Sequence, residues 1–387
     1  MIPSLVDITS RTRLVFGNGS LARLGLLARE LGAGRALIVT DRGIVAAGHV
    51  ARAVKSLTHE GIEVTVFDEV HENPTTSDIA RCLEVARQVG VDLFIGIGGG
   101  SSLDTAKGTN LLLTNGGEIR DYWGVGKASR PMLPLIAIPT TAGTGSECQS
   151  AALIADEVSH QKMACLDPKV AAKIALLDPE LTVSQPFRVT AVTGTDALAH
   201  ALETAVTTRR NPVSLMHSRE AFRLLAHAFP RVLENPKDLE SRGQMLLGAA
   251  FAGAAIEYSM LGAAHSCANP LTARFHVVHG AAVGLMLPHV IRFNAGEPTA
   301  CQAYAELALL SGWCRGSRTN EEGMEGLVAH LTQLLAQAKI PQKLAEAGAD
   351  PAQIPELAAE AAQQWTARFN PRPVAVEDFL RLYQAAV

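Results

Sequence analysis

Short apolar runs alternate with amphipathic stretches through the first half of the chain. Arg35–Thr40, Glu63–Phe67, Asp92–Ile97, Leu135–Ile138 and Ile174–Leu177 are rich in aliphatic and β-branched residues, whereas Ile44–His59 and Thr76–Val89 repeat apolar residues at helical spacing. Strand, helix and strand in this order predict a parallel sheet covered by helices on both faces. The runs are nearly all apolar, as expected of strands buried on both sides. After about Pro179 the pattern changes. From Pro186 onward the chain reads as Ala- and Leu-rich helices with breaks near Asn211-Pro212, Asn235-Pro236, Pro298 and Pro341. The pattern therefore predicts an α/β N-terminal domain with a Rossmann-like parallel sheet over residues 1–182. An all-α C-terminal domain follows over residues 183–387. No repeat of solenoid length and no low-complexity tract interrupts this division.

Composition narrows the classes. A chain of 387 residues exceeds one ordinary core, and 48% apolar residues with only 5% aromatics fit a helix-rich α/β protein. The formal charge of -4 gives no basic footprint, so neither nucleic acid nor an anionic membrane is expected as a partner. Met1–Asp7 has no basic region or long apolar run, which argues against a signal peptide or membrane anchor. Cys82, Cys148, Cys165, Cys267, Cys301 and Cys314 are scattered without a Cys-x-x-Cys pair. Reduced thiols in a cytoplasmic protein are expected.

The chemistry begins at Asp196-Ala-Leu-Ala-His200. Residues four apart on a helix share a face, so one carboxylate and one imidazole can grip a single ion. The flanking segment, Val189–Thr204, is small and apolar, and a buried carboxylate there needs compensation. By itself Asp-x-x-x-His is common, and an ordinary hydrogen-bonded pair satisfies it. Two downstream imidazoles, His265 and His279, would complete a mixed nitrogen and oxygen site suited to Fe(II) or Zn(II). On spacing alone His276 competes with His279. Cys267 reads as a small buried hydrophobe and His289 as structural.

Two loops suggest a nucleotide. An apolar run enters Gly98-Gly99-Gly100, and a helix begins at Ser101 or Ser102. Consecutive glycines admit a ligand close to the backbone, and helix-start N–H groups favour anions. A tight strand-to-helix turn is the plainer reading, but three glycines exceed what a turn requires. Lys107 lies two turns into that helix and reads as packing or charge. The loop Pro139-Thr-Thr-Ala-Gly-Thr-Gly-Ser-Glu147 follows another run, and Asp41 ends an early one. An acid at such a strand end can bind a ribose hydroxyl, or cap the next helix.

Together these segments resemble the iron-containing (group III) alcohol dehydrogenase family. The match is carried by Gly98-Gly-Gly-Ser-Ser-Leu-Asp-Thr-Ala-Lys107, Pro139–Glu147, Thr193-Gly-Thr-Asp-Ala-Leu-Ala-His-Ala-Leu-Glu203, His265 and His279-Gly-Ala-Ala-Val-Gly-Leu-Met-Leu-Pro-His289. It spans nearly the whole chain and implies a dehydroquinate synthase-like architecture, with a nucleotide-binding domain and a helical metal domain. The resemblance places Asp196, His200, His265 and His279 on Fe(II), or on Zn(II) as in some relatives. It assigns Gly98, Gly99, Gly100 and Ser101 to the cofactor pyrophosphate. Thr140, Thr141 and Thr144 would approach the nicotinamide, Lys162 would contact the cofactor, and Asp41 would favour NAD over NADP. The implied activity is reversible hydride transfer between a small alcohol and its aldehyde or ketone, in a homodimer or larger homo-oligomer.

The chain also departs from the pattern. Asn269 stands where relatives of this type usually carry a second histidine, and an amide cannot titrate, so it offers no proton relay. Ile256-Glu257-Tyr258 and Ala151 also differ from the usual residues. Dehydroquinate synthase-like lyases would need a Lys- and Arg-rich pocket that the helical half lacks. Maleylacetate reductase-like enzymes, some of them metal-free, fit poorly with four retained ligands. A non-catalytic nucleotide- or metal-binding protein predicts no turnover.

Overall fold

The computed structural model describes residues 9–157, 161–314 and 316–387. Nine strands are present among them: β1 (Arg13–Phe16), β2 (Arg35–Val39), β3 (Glu63–Phe67), β4 (Leu93–Gly98), β5 (Gly124–Val125), β6 (Leu135–Pro139), β7 (Ala151–Ala155), β8 (Lys162–Leu166) and β9 (Ile174–Leu177). The helices of the first half are α1 (Leu24–Glu30), α2 (Arg42–Ala46), α3 (His49–His59), α4 (Thr76–Val89) and α5 (Gly100–Asn115). Those of the second half are α6 (Phe187–Thr204), α7 (Pro212–Glu234), α8 (Leu239–Tyr258), α9 (Ala263–Phe275), α10 (His279–Asn294), α11 (Pro298–Leu310), α12 (Asn320–Gln337), α13 (Ile354–Gln363) and α14 (Val376–Gln384).

The chain divides into two compact units. One holds residues 9–141 and Gly145–Gln185; the other holds Ala142–Thr144 and the helical half from Pro186. In the first unit a six-stranded sheet of order β1-β9-β6-β4-β2-β3 is parallel throughout. Alternate residues of each strand feed opposite cores, as the period of two demands. Ala36 and Ile38 pack with Leu24, Leu27, Ala53 and Leu57 of α1 and α3. Leu37 and Val39 pack instead with Cys82, Ala86, Leu103 and Ala106 of α4 and α5. This two-sided burial explains the continuous apolar runs.

Strand order places the ligand-facing end. From β2 the chain steps outward to β3, then returns to β4 on the other side of β2 and continues through β6. The switch point lies between β2 and β4, and in sheets of this kind ligands bind beyond the carboxyl ends of the strands there. Asp41 follows β2 and Gly98 ends β4, so two of the sequence-selected residues stand at that crevice.

The predicted strands are β2, β3, β4, β6 and β9, and Thr76–Val89 is α4. The predicted helix over Ile44–His59 is instead two helices, α2 and α3, divided at Gly48, whose φ of 81° is left-handed. A second sheet, β5-β8-β7, was not expected; it packs Ala152, Ile154, Met163 and Cys165 against α4 and α5.

In the helical unit, α7 begins at the predicted Asn211-Pro212 break. The Asn211 carboxamide accepts from the Val213 and Ser214 N–H groups, and Pro212 occupies the first turn where no N–H is needed. α6 is buried from Gly194 to Thr204. Its small residues permit close approach: a Cβ on Gly280 would lie 2.0 Å from the Val192 carbonyl oxygen. Gly280→Ala is therefore expected to push α10 off α6 and to destabilise the protein by about 1–3 kcal/mol, read as an earlier midpoint in urea unfolding. An unchanged midpoint would remove the argument that backbone contact here fixes the position of His279. Among the described residues, no single helix is long and apolar enough to cross a membrane.

Candidate metal and nucleotide sites

Three helices of one unit converge on Asp196. α6 carries Asp196 and His200 a turn apart, α9 carries His265 in its first turn, and α10 starts at His279. Asp196 Oδ1 lies 3.4 Å from His200 Nε2, 3.4 Å from His265 Nε2 and 3.9 Å from His279 Nε2. Donors about 2.1 Å from a shared ion stand roughly 3.4 Å apart in a tetrahedron, so the spacing matches a first coordination sphere. Asp196, His265 and His279 offer ligand atoms all within 4.8 Å of one another. His200 joins through Asp196 and by stacking on His265, with ring centroids 4.9 Å apart. His276, the rival on spacing, ends α9 in a left-handed turn with φ 55°. His289 lies farther along α10, where burial and then Arg292 lower its pKa.

A divalent cation fits this donor set. Asp196 Oδ1 and His265 Nε2 are buried atoms without a hydrogen-bond partner, although they face each other. Buried polar atoms are rarely left so, and an ion would satisfy both. Burial alone would raise the Asp196 pKa, but His200, His265 and His279 hold the carboxyl far below the usual carboxylate range. Burial lowers the His200 pKa more than Asp196 raises it, which favours the neutral imidazole a metal requires.

Sequence reasoning missed Glu203. Its carboxylate accepts from His265 Nδ1 at 2.5 Å and from the Ala264 N–H at 2.7 Å. The first contact sets the tautomer: with Nδ1 donating, the lone pair of Nε2 points toward Asp196. The second caps α9, whose own N-cap, Gly262, has no side chain to do so. Asn370 supplies the neighbouring cap by accepting from the Ala263 N–H. A signal was present, since Asp196, His200 and Glu203 fall on one helical stripe.

Glu203 and Asp196 together overcome burial and push the His265 pKa up to about 9. In the metal-free protein this contribution to stability is complete below the unfolded value of 6.5 and is lost as pH rises through about 9. The depressed Asp196 pKa acts with the opposite sign: its contribution is present above 3.8 and is lost as pH falls through the folded value. Ion uptake must displace the His265 proton. Affinity is therefore expected to rise about tenfold per pH unit and to level off near pH 9, measurable by chelator competition. A pH-independent affinity across that range would contradict the assignment.

The nucleotide candidates lie in the other unit, except Thr144, which clusters with the helical one. Gly98 ends β4 with φ 150°, and a Cβ there would meet Ser102 Oγ at 2.3 Å. Gly99 precedes α5 without a side-chain cap, leaving the first N–H groups open to an anion. Ser101 Oγ accepts from the Asn73 N–H, and Thr141 lies 3.6 Å from the Cβ position of Gly99. The Thr140 N–H donates to the Gly98 carbonyl, tying the two loops together. Asp41 Oδ1 caps α2 through the Ile44 N–H, one of the two roles weighed from sequence, while Oδ2 lies near Gly98. Lys162 opens β8 and is exposed. Lys107 is fully buried; its ammonium donates to the carbonyls of Ser146, Gln149 and Ala151, which clamps the end of the threonine loop.

The family profile described as iron-containing alcohol dehydrogenase matches residues 11–179, and that described as Fe-containing alcohol dehydrogenase family, C-terminal, matches residues 190–387. The chain is 33% identical to an NAD-dependent methanol dehydrogenase of Bacillus methanolicus, over 96% of its own length and 97% of the relative. It is 30% identical to a 1,3-propanediol dehydrogenase of Klebsiella pneumoniae, over 96% of each chain. A crystal structure of 1,3-propanediol oxidoreductase superposes with a TM-score of 0.95 at 29% identity, covering 99% of this chain and 100% of that one. The chain belongs to the iron-containing alcohol dehydrogenase family, and it is an oxidoreductase of that family's fold.

Proposed function

We propose that the protein is a metal-dependent, NAD-linked alcohol dehydrogenase that interconverts a small primary or secondary alcohol and its aldehyde or ketone. The observation that carries this reading is the set of three imidazole nitrogens around one buried carboxylate oxygen, Asp196 Oδ1. Asp196, His200, His265 and His279 would hold Fe(II), or Zn(II), in a domain of residues 183–387. Gly98, Gly99, Gly100 and Ser101 would receive the pyrophosphate of NAD in a domain of residues 1–182. Asp41 would take a ribose hydroxyl and repel the extra phosphate of NADP. Thr140, Thr141, Thr144 and Lys162 would line the rest of the nucleotide.

When bound, the ion supplies a Lewis acid for the alcohol oxygen and the nicotinamide supplies the hydride acceptor. The chain's own residues prepare the site. Glu203 holds His265 in the ligating tautomer, and the packing of α6, α9 and α10 brings the four ligand groups together. Asn269 cannot titrate, so no side chain at that position takes the alcohol proton.

Exposed Leu14 and Phe16 on edge strand β1 support assembly into a homodimer or larger homo-oligomer. Six cysteines, none of them in a disulfide among the described residues, support a cytoplasmic location. The test is NAD+ reduction at 340 nm by Fe(II)-loaded protein over a panel of small alcohols, with metal analysis. Turnover is expected with several primary alcohols. Bound metal without turnover of any alcohol would instead favour a non-catalytic binding protein.

A further inference from the structure

We propose that Asn370 is a positioning residue for the metal centre: its amide ties the first turn of α9, which carries His265, to the end of α10, which begins at His279. The inference rests on the metal-site reading above and goes beyond it, since the side-chain bonds of Asn370 all run to groups other than the four ligands.

The position demands an amide. On one side lies the Arg372 carbonyl, which only accepts, and Asn370 Nδ2 donates to it at 2.7 Å. On the other lies the Ala263 N–H, which only donates, and Oδ1 accepts from it at 3.2 Å. These two backbone groups settle which end of the side chain is nitrogen and which is oxygen. Asn294, the last residue of α10, completes a reciprocal pair. Asn370 Nδ2 donates to Asn294 Oδ1 at 2.7 Å, and Asn294 Nδ2 donates to Asn370 Oδ1 at 3.2 Å. Both amides are buried. Both protons of Asn370 Nδ2 and both lone pairs of Oδ1 are thus engaged, and any other orientation would leave a buried polar group unpaired.

Arg372 fastens the same short segment to α10. Its Nη1 donates to the Phe293 carbonyl at 3.0 Å, and its guanidinium lies 4.1 Å from the centroid of the Phe293 ring. The last carbonyls of a helix lack partners within it, and a cation there is favoured by the helix dipole. Residues 370–372 are therefore anchored on the end of α10 and reach across to the start of α9. The consequence falls on Glu203, whose carboxylate joins the Ala264 N–H to His265 Nδ1. That bridge closes only while the first turn of α9 stays where Asn370 holds it. Gly262 shows how closely the two caps approach: a Cβ there would stand 2.9 Å from Asn370 Oδ1 and 3.1 Å from Glu203 Oε1. Releasing Asn370 lets the start of α9 shift, so His265 meets the ion at a poorer angle although no ligand is lost.

Co(II) is the probe, because its visible absorption reports the geometry of its donor set. Metal-stripped proteins are titrated with Co(II) against a competing chelator, with urea unfolding followed in parallel. Asn370→Leu should bind Co(II) about tenfold more weakly than wild type and with altered visible bands. Asn294→Ala keeps the Ala263 contact, unlocks the amide and leaves room for water. It should move both readings the same way by a smaller factor, and it carries the test if Asn370→Leu does not fold. Leu327→Ala is the control for lost stability alone: it opens a cavity in α12, and should unfold earlier while keeping wild-type affinity and bands. Wild-type affinity and bands in Asn370→Leu, or in Asn294→Ala where the former does not fold, would overturn the proposal. An equal change in Leu327→Ala would overturn it too. A wild type that takes up no Co(II) would instead count against the metal site itself.

Discussion

Asp196→Ala is expected to lower bound metal below a tenth of the wild-type content and to cut kcat/KM by at least about a thousandfold. Asp196 Oδ1 is the one oxygen facing all three imidazoles, at 3.4, 3.4 and 3.9 Å. Loss of groups that merely support a ligand costs about 10–100-fold in metal affinity, so loss of the only carboxylate in the set should cost more. The fold should survive. In the metal-free protein the charged His265 retains Glu203 as a partner, and removing Asp196 also removes a buried charge. The metal-free variant should still unfold in one cooperative transition, but earlier than metal-free wild type, because the stabilisation carried by the depressed Asp196 pKa is lost. If the variant retains full metal content and turnover, the ion does not lie at Asp196.

Glu203→Gln is expected to lower metal affinity about 10–100-fold while keeping the side chain's shape. A glutamine can offer His265 Nδ1 an amino group, which favours the tautomer with the proton on Nε2, where no metal can bind. Loss of the carboxylate also withdraws the main support for the raised His265 pKa, so the levelling of affinity near pH 9 should move to lower pH. Glu203→Ala goes further. It leaves the buried Ala264 N–H without an acceptor and opens a cavity beside α9, for a loss of about 3 kcal/mol or more. Chelator competition and thermal unfolding separate the two variants: the glutamine should bind metal weakly in a near-normal fold, whereas the alanine should also melt early. Wild-type metal affinity in Glu203→Gln would show that His265 does not depend on this partner.

The legible parts of this chain are those whose burial is uniform. β2, β4, β6 and β9 are covered on both faces, so their residues read as unbroken apolar runs. The sheet β5-β8-β7 escaped because β5 has only two residues and β7 is Ala-rich: Ala151–Ala155 has the composition of a helix, and only its pairing with β8 makes it a strand. Gly48 hid inside an amphipathic pattern that continues across it, so one predicted helix is two. Asp196 and His200 were visible as a local pair. Their meeting with His265 and His279 depends on the packing of α6, α9 and α10, which no local spacing encodes. The same limit applies to Glu203, which becomes informative only when His265 lies beside it.

The most direct measurement is stepwise Fe(II) addition to chelator-stripped protein under anaerobic conditions, following NAD+ reduction by a primary alcohol and bound iron together. The account predicts no turnover in stripped wild type, a linear rise to a plateau at one ion per chain, and no rise in Asp196→Ala. Full turnover by the stripped protein, or activation of Asp196→Ala with the wild-type stoichiometry, would contradict it.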